Sequence, residues 1–259
     1  MQNGGLRTNG IIKKTTDEFP LITVITVVYN GESTLEQTII SVVNQSYTNI
    51  EYIIIDGGSK DRTIDIIKKY EDKIDYWQSE PDNGIYDAMN KGIILASGEW
   101  INFMNSGDSF FQVSTISDCF MNKSFKDVDV IYGDSNQIDG NKKIYCPSGN
   151  NSNLLYRGPC YRHGASFVKT EVHKKNLFDI SRKDLGYALD FNLIYSLKCQ
   201  GFIFKKLPMI IINYDKEGVS NNLIKGATYI YKITKNRNPI RATLYLFIRK
   251  LKYYFGLYK

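Results

Sequence analysis

The chain has 259 residues, of which 42% are hydrophobic and 23% charged, a composition that is typical of a globular protein and excludes disordered, collagen-like and coiled-coil chains. The net charge of +6 is concentrated after Glu217, where nine of the 33 basic residues and none of the 27 acidic residues lie. The body before that point is therefore slightly acidic, which excludes a nucleic-acid-binding body, and four scattered cysteines with two histidines exclude a zinc finger.

The first half of the chain predicts alternating strands and helices after a polar leader. Runs of β-branched and apolar residues predict parallel strands that are buried on both faces, at 21–29, 51–55, 74–78 and 100–104. Apolar residues at helical spacing fill the intervals between these strands. This order predicts an α/β fold with a doubly wound, mostly parallel sheet and helices on both faces, which binds ligands beyond the carboxyl ends of its strands.

The second half predicts a mixed arrangement of strands and helices. Strands are expected at 128–132, 137–145 and 166–168, a helix at 189–197, and two further strands at 202–207 and 209–214 on either side of Pro208. His173 is expected on a helix surface. No run of apolar residues reaches the roughly 20 residues of a membrane span, and the start of the chain lacks the apolar segment of a secretory signal.

The last residues predict a basic amphipathic helix that begins near Pro239. Its apolar side chains recur at helical spacing and form one stripe with basic residues beside it, a pattern typical of segments that lie in a membrane interface. The alternative is a helix that packs on the body or on a second subunit, as in a homodimer. The stripe consists of Ile240, Leu244, Phe247, Leu251 and Tyr254.

Polar residues follow the four parallel strands, at the edge where a ligand is expected. No G-x-G-x-x-G or P-loop pattern follows the first strand, which disfavours a dehydrogenase or a P-loop ATPase. The residues at these strand ends are Tyr29, Asn30, Glu32, Asp56, Gly57, Glu80, Asp82, Asn83, Asn105, Ser106 and Asp108.

In this order, the segments 27–32, 54–63, 79–92 and 98–108 resemble family 2 glycosyltransferases with a GT-A fold, and 163–167 and 218–220 resemble later landmarks of that family. The resemblance is greatest to the branch that builds bacterial O-antigen, capsule or exopolysaccharide repeat units. It implies an inverting enzyme that moves a hexose from a nucleotide sugar, with UDP favoured, to a lipid-diphosphate-linked saccharide. Such an enzyme would be cytoplasmic and peripheral at the inner face of the plasma membrane.

The resemblance also implies roles for the donor-side residues. Asp56 is expected to accept a hydrogen bond from a uracil base, or else to stabilise the turn before the next helix, and Gly57 lets the backbone pass close to the nucleotide. Tyr29 and Asn30 would pack on the base and ribose, with Glu32 nearby. The acids and amide that follow the third strand would face the nucleotide and sugar, namely Glu80, Asp82 and Asn83, although Asn83 also suits a helix N-cap.

Departure of a nucleoside diphosphate builds negative charge, which a divalent cation neutralises. The resemblance implies that Asp108 binds this Mn²⁺ or Mg²⁺, with Asn105 and Ser106 beside it. The family carries paired acids at this point, whereas residues 105–108 hold one carboxylate. His163 is expected either to contact the diphosphate or metal, or to be a core residue.

Inverting transferases use one carboxylate as the general base, which takes the proton of the acceptor hydroxyl. Asp190 matches this position of the family, although Leu189 replaces the acid that usually precedes it. A helix start favours the ionised form of Asp190. An N-cap role is the alternative, and Asp184 is the second candidate for the base.

The loss of two acids motivates an alternative in which the chain binds nucleotide sugar without catalysis. A sugar nucleotidyltransferase would need a basic, glycine-rich loop after the first strand, and none is present. The expected organisation is a flexible leader at 1–19, a nucleotide-sugar-binding half at 20–112, an acceptor-binding half with the catalytic base at 113–222, and the tail at 223–259.

Overall fold

The computed structural model describes residues 1–16, 18–150, 152–215, 223–255 and 257. The strands are β1 (Gln2–Gly4), β2 (Ile22–Val28), β3 (Ile50–Asp56), β4 (Tyr76–Ser79), β5 (Trp100–Phe103), β6 (Ser109–Phe110), β7 (Val130–Asp139), β8 (Lys142–Cys146), β9 (Ser166–Lys169) and β10 (Phe204–Asp215). They form one ten-stranded mixed sheet of the order β1-β4-β3-β2-β5-β9-β7-β10-β6, and β8 pairs with β7. The helices are α1 (Leu35–Val43), α2 (Thr63–Lys69), α3 (Ile85–Leu95), α4 (Thr115–Phe120), α5 (Thr170–Lys175), α6 (Leu189–Cys199), α7 (Leu223–Thr234) and α8 (Pro239–Tyr254).

The first half forms the predicted doubly wound sheet, in which β2 lies between β3 and β5 and all three strands are parallel. The side chains of β2 alternate between two cores. Ile22 and Val24 belong to the core beneath α1 and α4, while Ile25 and Val27 belong to the core beneath α3 and α6. Burial on both faces explains the unbroken apolar run, and the prediction of an α/β sheet with helices on both faces is confirmed.

The second half differs from the prediction in two strands. The expected strands at 128–132 and 137–145 are instead β7, which is continuous through Gly133, and β8, which begins at Lys142. An added Cβ on Gly133 would lie 2.6 Å from the carbonyl oxygen of Met209, so this glycine marks close packing between β7 and β10. β10 is one strand that runs parallel to β7 and shifts register beyond Lys206. Pro208 causes this shift because it lacks the N–H that a regular ladder needs.

Part of the polar leader is folded onto the body. Residues Gln2–Gly4 add a strand antiparallel to β4, and Arg7 and Lys13 lie 3.2 and 2.8 Å from the buried carboxylates of Glu51 and Asp75. A buried carboxylate needs a charged or hydrogen-bonding partner, and the leader supplies one for each of these two residues. The polar composition of the leader alone does not predict these contacts.

The expectation of an exposed His173 is wrong. Its side chain is buried in α5, with its ring 5.6 Å from that of Phe103.

The C-terminal segment forms two helices, α7 and α8, that pack against each other and against the body. Ala242 is fully buried on the inner face of α8. The five side chains of the predicted apolar stripe are exposed, by fractions between 40% and 84%. In the part of the chain that the structure describes, no helix combines the length and apolarity needed to cross a membrane.

Candidate active site

The loops at the carboxyl ends of β2, β3, β4 and β5 lie against one another and form a polar edge. The backbone N–H of Asn30 donates to Ser59 Oγ at 2.7 Å, and Asn30 Oδ1 accepts from the N–H of Lys60 at 2.9 Å. A Cβ on Gly57 would lie 2.6 Å from Asp82 Oδ2, so the β3 and β4 loops approach each other closely at this glycine. Tyr29 is 64% exposed at this edge and offers its ring to a ligand.

The carboxylate of Asp56 stabilises the loop that follows β3. It is fully buried and accepts hydrogen bonds from the backbone N–H groups of Gly58 and Ser59, each at 3.0 Å. It also accepts from the hydroxyls of Ser59 and Ser79, the latter at 2.6 Å. Asp56 therefore shapes the loop between β3 and α2, and its carboxylate already has four donors.

Two of the predicted acidic residues have partners on neighbouring elements. Glu32 Oε2 accepts from the backbone N–H of Arg62 at 3.1 Å, at the start of α2. Glu80 lies 2.8 Å from Lys91 Nζ, so this lysine is paired within the site.

Asp82 and Asn83 form the turn that leads into α3. Asp82 accepts from the N–H of Gly84 at 2.7 Å, and the N–H of Asn83 donates to Asp87 at 2.9 Å. The N-cap position is Gly84, so the alternative that made Asn83 the N-cap is wrong.

Asp108 lies at the carboxyl end of β5, in a tight turn that Gly107 permits with a φ of 99°. Burial raises the pKa of the Asp108 carboxyl to about 7, and the N–H of Asp215 and the positive charge of Arg162 oppose this rise. In the same turn, the side-chain oxygen of Asn105 is buried without a hydrogen-bond partner. The Ser106 hydroxyl, by contrast, has a hydrogen-bond partner, the hydroxyl of Thr34 at 2.9 Å.

A divalent cation fits this turn. The carboxylate of Asp108 and the unpartnered oxygen of Asn105 are hard oxygen donors of the kind that Mg²⁺ and Mn²⁺ prefer. Among the described residues, no three His, Cys, Asp or Glu side chains are grouped to hold a metal ion. A cation bound here would therefore take further ligands from its substrate, as Mg²⁺ commonly does with phosphates.

His163 lies beside this turn and is half-buried. Its ring stacks on Phe103 with centroids 5.0 Å apart, and burial lowers the pKa of the imidazole to about 4. The imidazole is therefore neutral at neutral pH and adds no positive charge for a diphosphate. The predicted later landmark at 218–220 lies outside the described residues.

Asp190 is the second residue of α6 and lines a cleft of about 520 Å³. Burial raises the pKa of its carboxyl, and the N–H of Phe191, which donates to Asp190 Oδ1 at 2.7 Å, opposes this rise. The cleft is lined by Tyr161, Arg162, Tyr187, Asp190, Tyr214 and Arg249, among others. We call it the acceptor-side cleft.

Arg162 connects the two carboxylates electrostatically. Its positive charge lowers the pKa of both Asp108 and Asp190, so it lies near each of them. Its guanidinium lies 4.2 Å from the ring centre of Tyr214 and donates to the Tyr214 hydroxyl at 3.0 Å, which fixes its orientation.

Three residues of this region were not expected in the site from the sequence. Tyr86 lies 3.5 Å from Asp190 Oδ1, Asp215 donates its N–H to Asp108, and Arg249 of α8 lines the acceptor-side cleft. The position of Tyr86 in the motif after β4 is a signal that could have found it. Asp215 and Arg249 carry no local signal because their neighbours are distant in sequence.

Comparison with known proteins identifies the family of this chain. The sequence pattern of the family described as "Glycosyl transferase family 2" matches residues 23–178. An uncharacterised glycosyltransferase of Mycobacterium tuberculosis is 32% identical over 217 residues, which are 81% of this chain and 80% of the relative.

Two solved structures share the fold. Staphylococcus aureus TarS 1–349, in complex with UDP-GlcNAc, has a TM-score of 0.63 at 19% identity and covers 87% of this chain and 70% of its own. The mannosyltransferase PcManGT of Pyrobaculum calidifontis, in complex with GDP-Man and Mn²⁺, has a TM-score of 0.65 at 16% identity, with 91% and 72% covered. The fold is thus the GT-A fold of glycosyltransferases, and the chain is a glycosyltransferase that belongs to family 2.

Proposed function

We propose that this glycosyltransferase moves a hexose, with inversion, from a UDP-sugar to a lipid-diphosphate-linked saccharide in bacterial surface polysaccharide synthesis. The observation that carries the proposal is the pair of half-buried carboxylates, Asp108 and Asp190, with Arg162 near both. Asp108 would bind the cation that stabilises the departing diphosphate, and Asp190 would deprotonate the attacking hydroxyl. Residues 20–112 would bind the donor, and residues 113–222 would bind the acceptor and supply the base.

In the proposed mechanism, Asp190 accepts the proton of the acceptor hydroxyl as its oxygen attacks the anomeric carbon. The raised pKa of Asp190 makes its carboxylate a stronger base than an exposed aspartate. Arg162 neutralises charge that develops on the diphosphate side. A Mn²⁺ or Mg²⁺ ion held by Asp108 and Asn105 would supply Lewis-acid stabilisation of the departing nucleoside diphosphate.

The proposed donor contacts lie along the edge formed by the β2, β3 and β4 loops. Tyr29 would stack on the base, while Asp56 would act through the loop it shapes, because its carboxylate is buried and bonded. Glu80 and Asp82 would lie near the ribose and sugar. The similar solved structures hold UDP-GlcNAc in one case and GDP-Man in the other. We propose UDP as the nucleotide of the donor because the sequence resemblance to family 2 glycosyltransferases favours it.

Replacement of Asp56 separates a loop-shaping role from direct contact with the base. Asp56→Ala leaves buried donors unpaired, so we expect the free energy of unfolding to fall by about 2–4 kcal/mol and UDP affinity to fall with it. Denaturant unfolding and titration calorimetry with UDP measure the two effects. A variant that loses UDP affinity at unchanged stability would instead favour direct recognition of the base by Asp56.

The outer face of α8 is the proposed membrane contact. Its exposed apolar stripe is flanked by Arg241, Lys250 and Lys252, and α8 contains no acidic residue. Anionic lipids attract such cations with about 1 kcal/mol for each one near the surface, and the stripe adds burial of apolar area. This contact would keep the enzyme at the inner face of the plasma membrane, where a lipid-linked acceptor is held.

Acidic substitution on this face tests the membrane contact. We expect Phe247→Glu with Leu251→Glu to weaken binding to vesicles that contain anionic phosphatidylglycerol by at least about 100-fold, since each apolar side chain contributes about 1.5–3 kcal/mol on burial. Both side chains are exposed, so thermal stability should not change. The matched control is Ile94→Glu with Ile203→Glu, which adds the same charge at exposed apolar positions of the body.

Vesicle co-sedimentation measures this binding. Equal vesicle binding by the two double variants would contradict the membrane contact. A concentration-dependent dimer that only the Phe247→Glu/Leu251→Glu variant loses would assign the face to a second copy of the chain.

A screen of nucleotide sugars with an undecaprenyl-diphosphate-linked saccharide tests the overall function by mass spectrometry. The proposal predicts a product heavier by one hexose from a UDP-sugar, with release of UDP. Tight binding of UDP-sugar without transfer to any acceptor would favour the non-catalytic alternative, which the single carboxylate at residues 105–108 motivates. Formation of a nucleotide sugar from a sugar phosphate would favour a nucleotidyltransferase.

A further inference from the structure

The segment that presents Asp190 has an unusual shape and lies between two helices. It is the 3-10 helix Lys183–Ala188, which we call the base loop, and it leads directly into α6. Gly186 interrupts this helix with a φ of 52°, a conformation that favours glycine. The position of Asp190 therefore depends on what holds the base loop.

On the donor side, the base loop is held by Tyr86 in the first turn of α3. The Tyr86 hydroxyl donates to the carbonyl oxygen of Tyr187 at 2.6 Å and lies 3.5 Å from Asp190 Oδ1. The Tyr86 ring packs against Phe178 with centroids 5.2 Å apart, which fixes the position of the hydroxyl.

On the other side, the base loop is held by α7. Lys232 Nζ donates to the carbonyl oxygen of Asp184 at 2.9 Å and lies 3.6 Å from its carboxylate. The rings of Tyr229 and Tyr187 meet edge to face, with centroids 5.2 Å apart. A Cβ on Gly186 would lie 2.7 Å from the Tyr229 hydroxyl, so the glycine leaves the space that Tyr229 occupies.

The C-terminal helices also form a wall of the acceptor-side cleft. Gly226 and Ile230 of α7 and Arg249 of α8 line it together with Asp190. The inner face of α8 therefore contacts the cleft, while its outer face carries the exposed apolar stripe. The two C-terminal helices therefore contribute side chains to the acceptor-side cleft.

We propose that α7 positions the general base, with Tyr229 and Lys232 holding the base loop so that Asp190 points into the acceptor-side cleft. The inference rests on the proposed role of Asp190. Misplacement of a catalytic group by about 1 Å costs up to 100-fold in rate, so a loosened base loop lowers turnover even when donor binding is intact. Because α8 follows α7 directly and packs against it, the helix proposed to contact the membrane would adjoin the helix that holds the base loop.

Substitution of the two α7 side chains in the full-length chain tests this role. For Tyr229→Ala with Lys232→Ala we expect kcat to fall about tenfold with a farnesyl-diphosphate-linked saccharide, while the KM for the UDP-sugar stays unchanged. The conservative pair, Tyr229→Phe with Lys232→Arg, should restore most of the loss. The matched control is Lys235→Ala, which removes an exposed cation just beyond α7.

The pH profile distinguishes positioning from general destabilisation. The titratable and charged groups around Asp190 are Tyr86, Tyr161 and Arg162, with Arg249 across the cleft. Burial raises the pKa of Asp190, so entry of water through a loosened loop lowers it toward its ordinary value. The acidic limb of kcat should therefore move to lower pH in the alanine pair and stay in place in the control.

Hydrogen–deuterium exchange adds a measurement that needs no substrate. We expect amides 183–191 to exchange at least about tenfold faster in the alanine pair than in the Lys235→Ala control, since loss of local contacts eases local opening. Unchanged exchange there, or a fall in melting temperature with an unchanged acidic limb, would overturn the positioning role. An active Asp190→Asn variant would instead overturn the assignment of the base, so the two failures are distinguishable.

Discussion

Asp190→Asn should lower kcat by about 10²–10⁴-fold, the range expected for loss of a general base. The amide keeps the shape of the side chain and an oxygen that can accept from the N–H of Phe191, so the variant should fold and bind UDP normally. Its melting temperature should be unchanged or higher, because burial of an ionised carboxylate opposes folding, as the raised pKa indicates. Steady-state kinetics with the identified acceptor measures the effect.

Near wild-type turnover of Asp190→Asn would move the base elsewhere. Asp184 is then the next candidate, but it is a weaker base, because a hydrogen bond from Arg182 and the charge of Lys232 lower the pKa of its carboxyl. Its carboxylate lies 2.8 Å from Arg182 and is 45% exposed. Asp184 therefore forms an exposed ion pair with Arg182 in the base loop.

Asp108→Asn should abolish detectable transfer and weaken binding of UDP-sugar more than binding of uridine. The reason is that a metal ion contributes several kcal/mol to stabilisation of the departing diphosphate and contributes nothing to a nucleoside without phosphate. Asp72→Asn is the control, because it removes an exposed carboxylate outside the site. Isothermal titration with the two ligands in the presence of Mn²⁺ measures the difference.

The pH dependence of Mn²⁺ binding gives a second readout of Asp108. Its pKa is raised to about 7, so the carboxyl is protonated below that pH and ionised above it. Because Mn²⁺ must then displace a proton, its affinity in the presence of UDP should fall about tenfold per pH unit as the pH drops below 7. This dependence should be weaker in Asp108→Asn, where only the terminal phosphate of UDP still exchanges a proton for the metal in this pH range. Full transfer activity in the presence of a chelator would contradict metal dependence.

Local sequence patterns predicted the elements whose side chains alternate or repeat within one segment. β2 and the apolar stripe of α8 are such elements, since β-branched residues and helical spacing depend on near neighbours. The strand ends followed from the same patterns, which placed Asp56 and Asp108 at one edge of the sheet. The fold class and the position of these two carboxylates at the sheet edge were therefore predictable.

Contacts between distant segments were not predictable in this way. Tyr86 and Asp190 are 104 positions apart, and no periodic pattern connects them. The strand end at Asp56 was expected, but the direction of its carboxylate depends on Ser79 of the neighbouring strand. Likewise the α8 stripe was predicted, whereas the inner position of Arg249 depends on how the two C-terminal helices pack.

The proposed mechanism is direct attack on the anomeric carbon by an acceptor hydroxyl that one base, Asp190, deprotonates. The anomeric configuration of the product, determined by nuclear magnetic resonance after transfer from a UDP-α-D-hexose, tests this mechanism. A single displacement at the anomeric carbon predicts a β-linked product. An α-linked product would contradict this mechanism, because retention requires two displacements or a different path of attack.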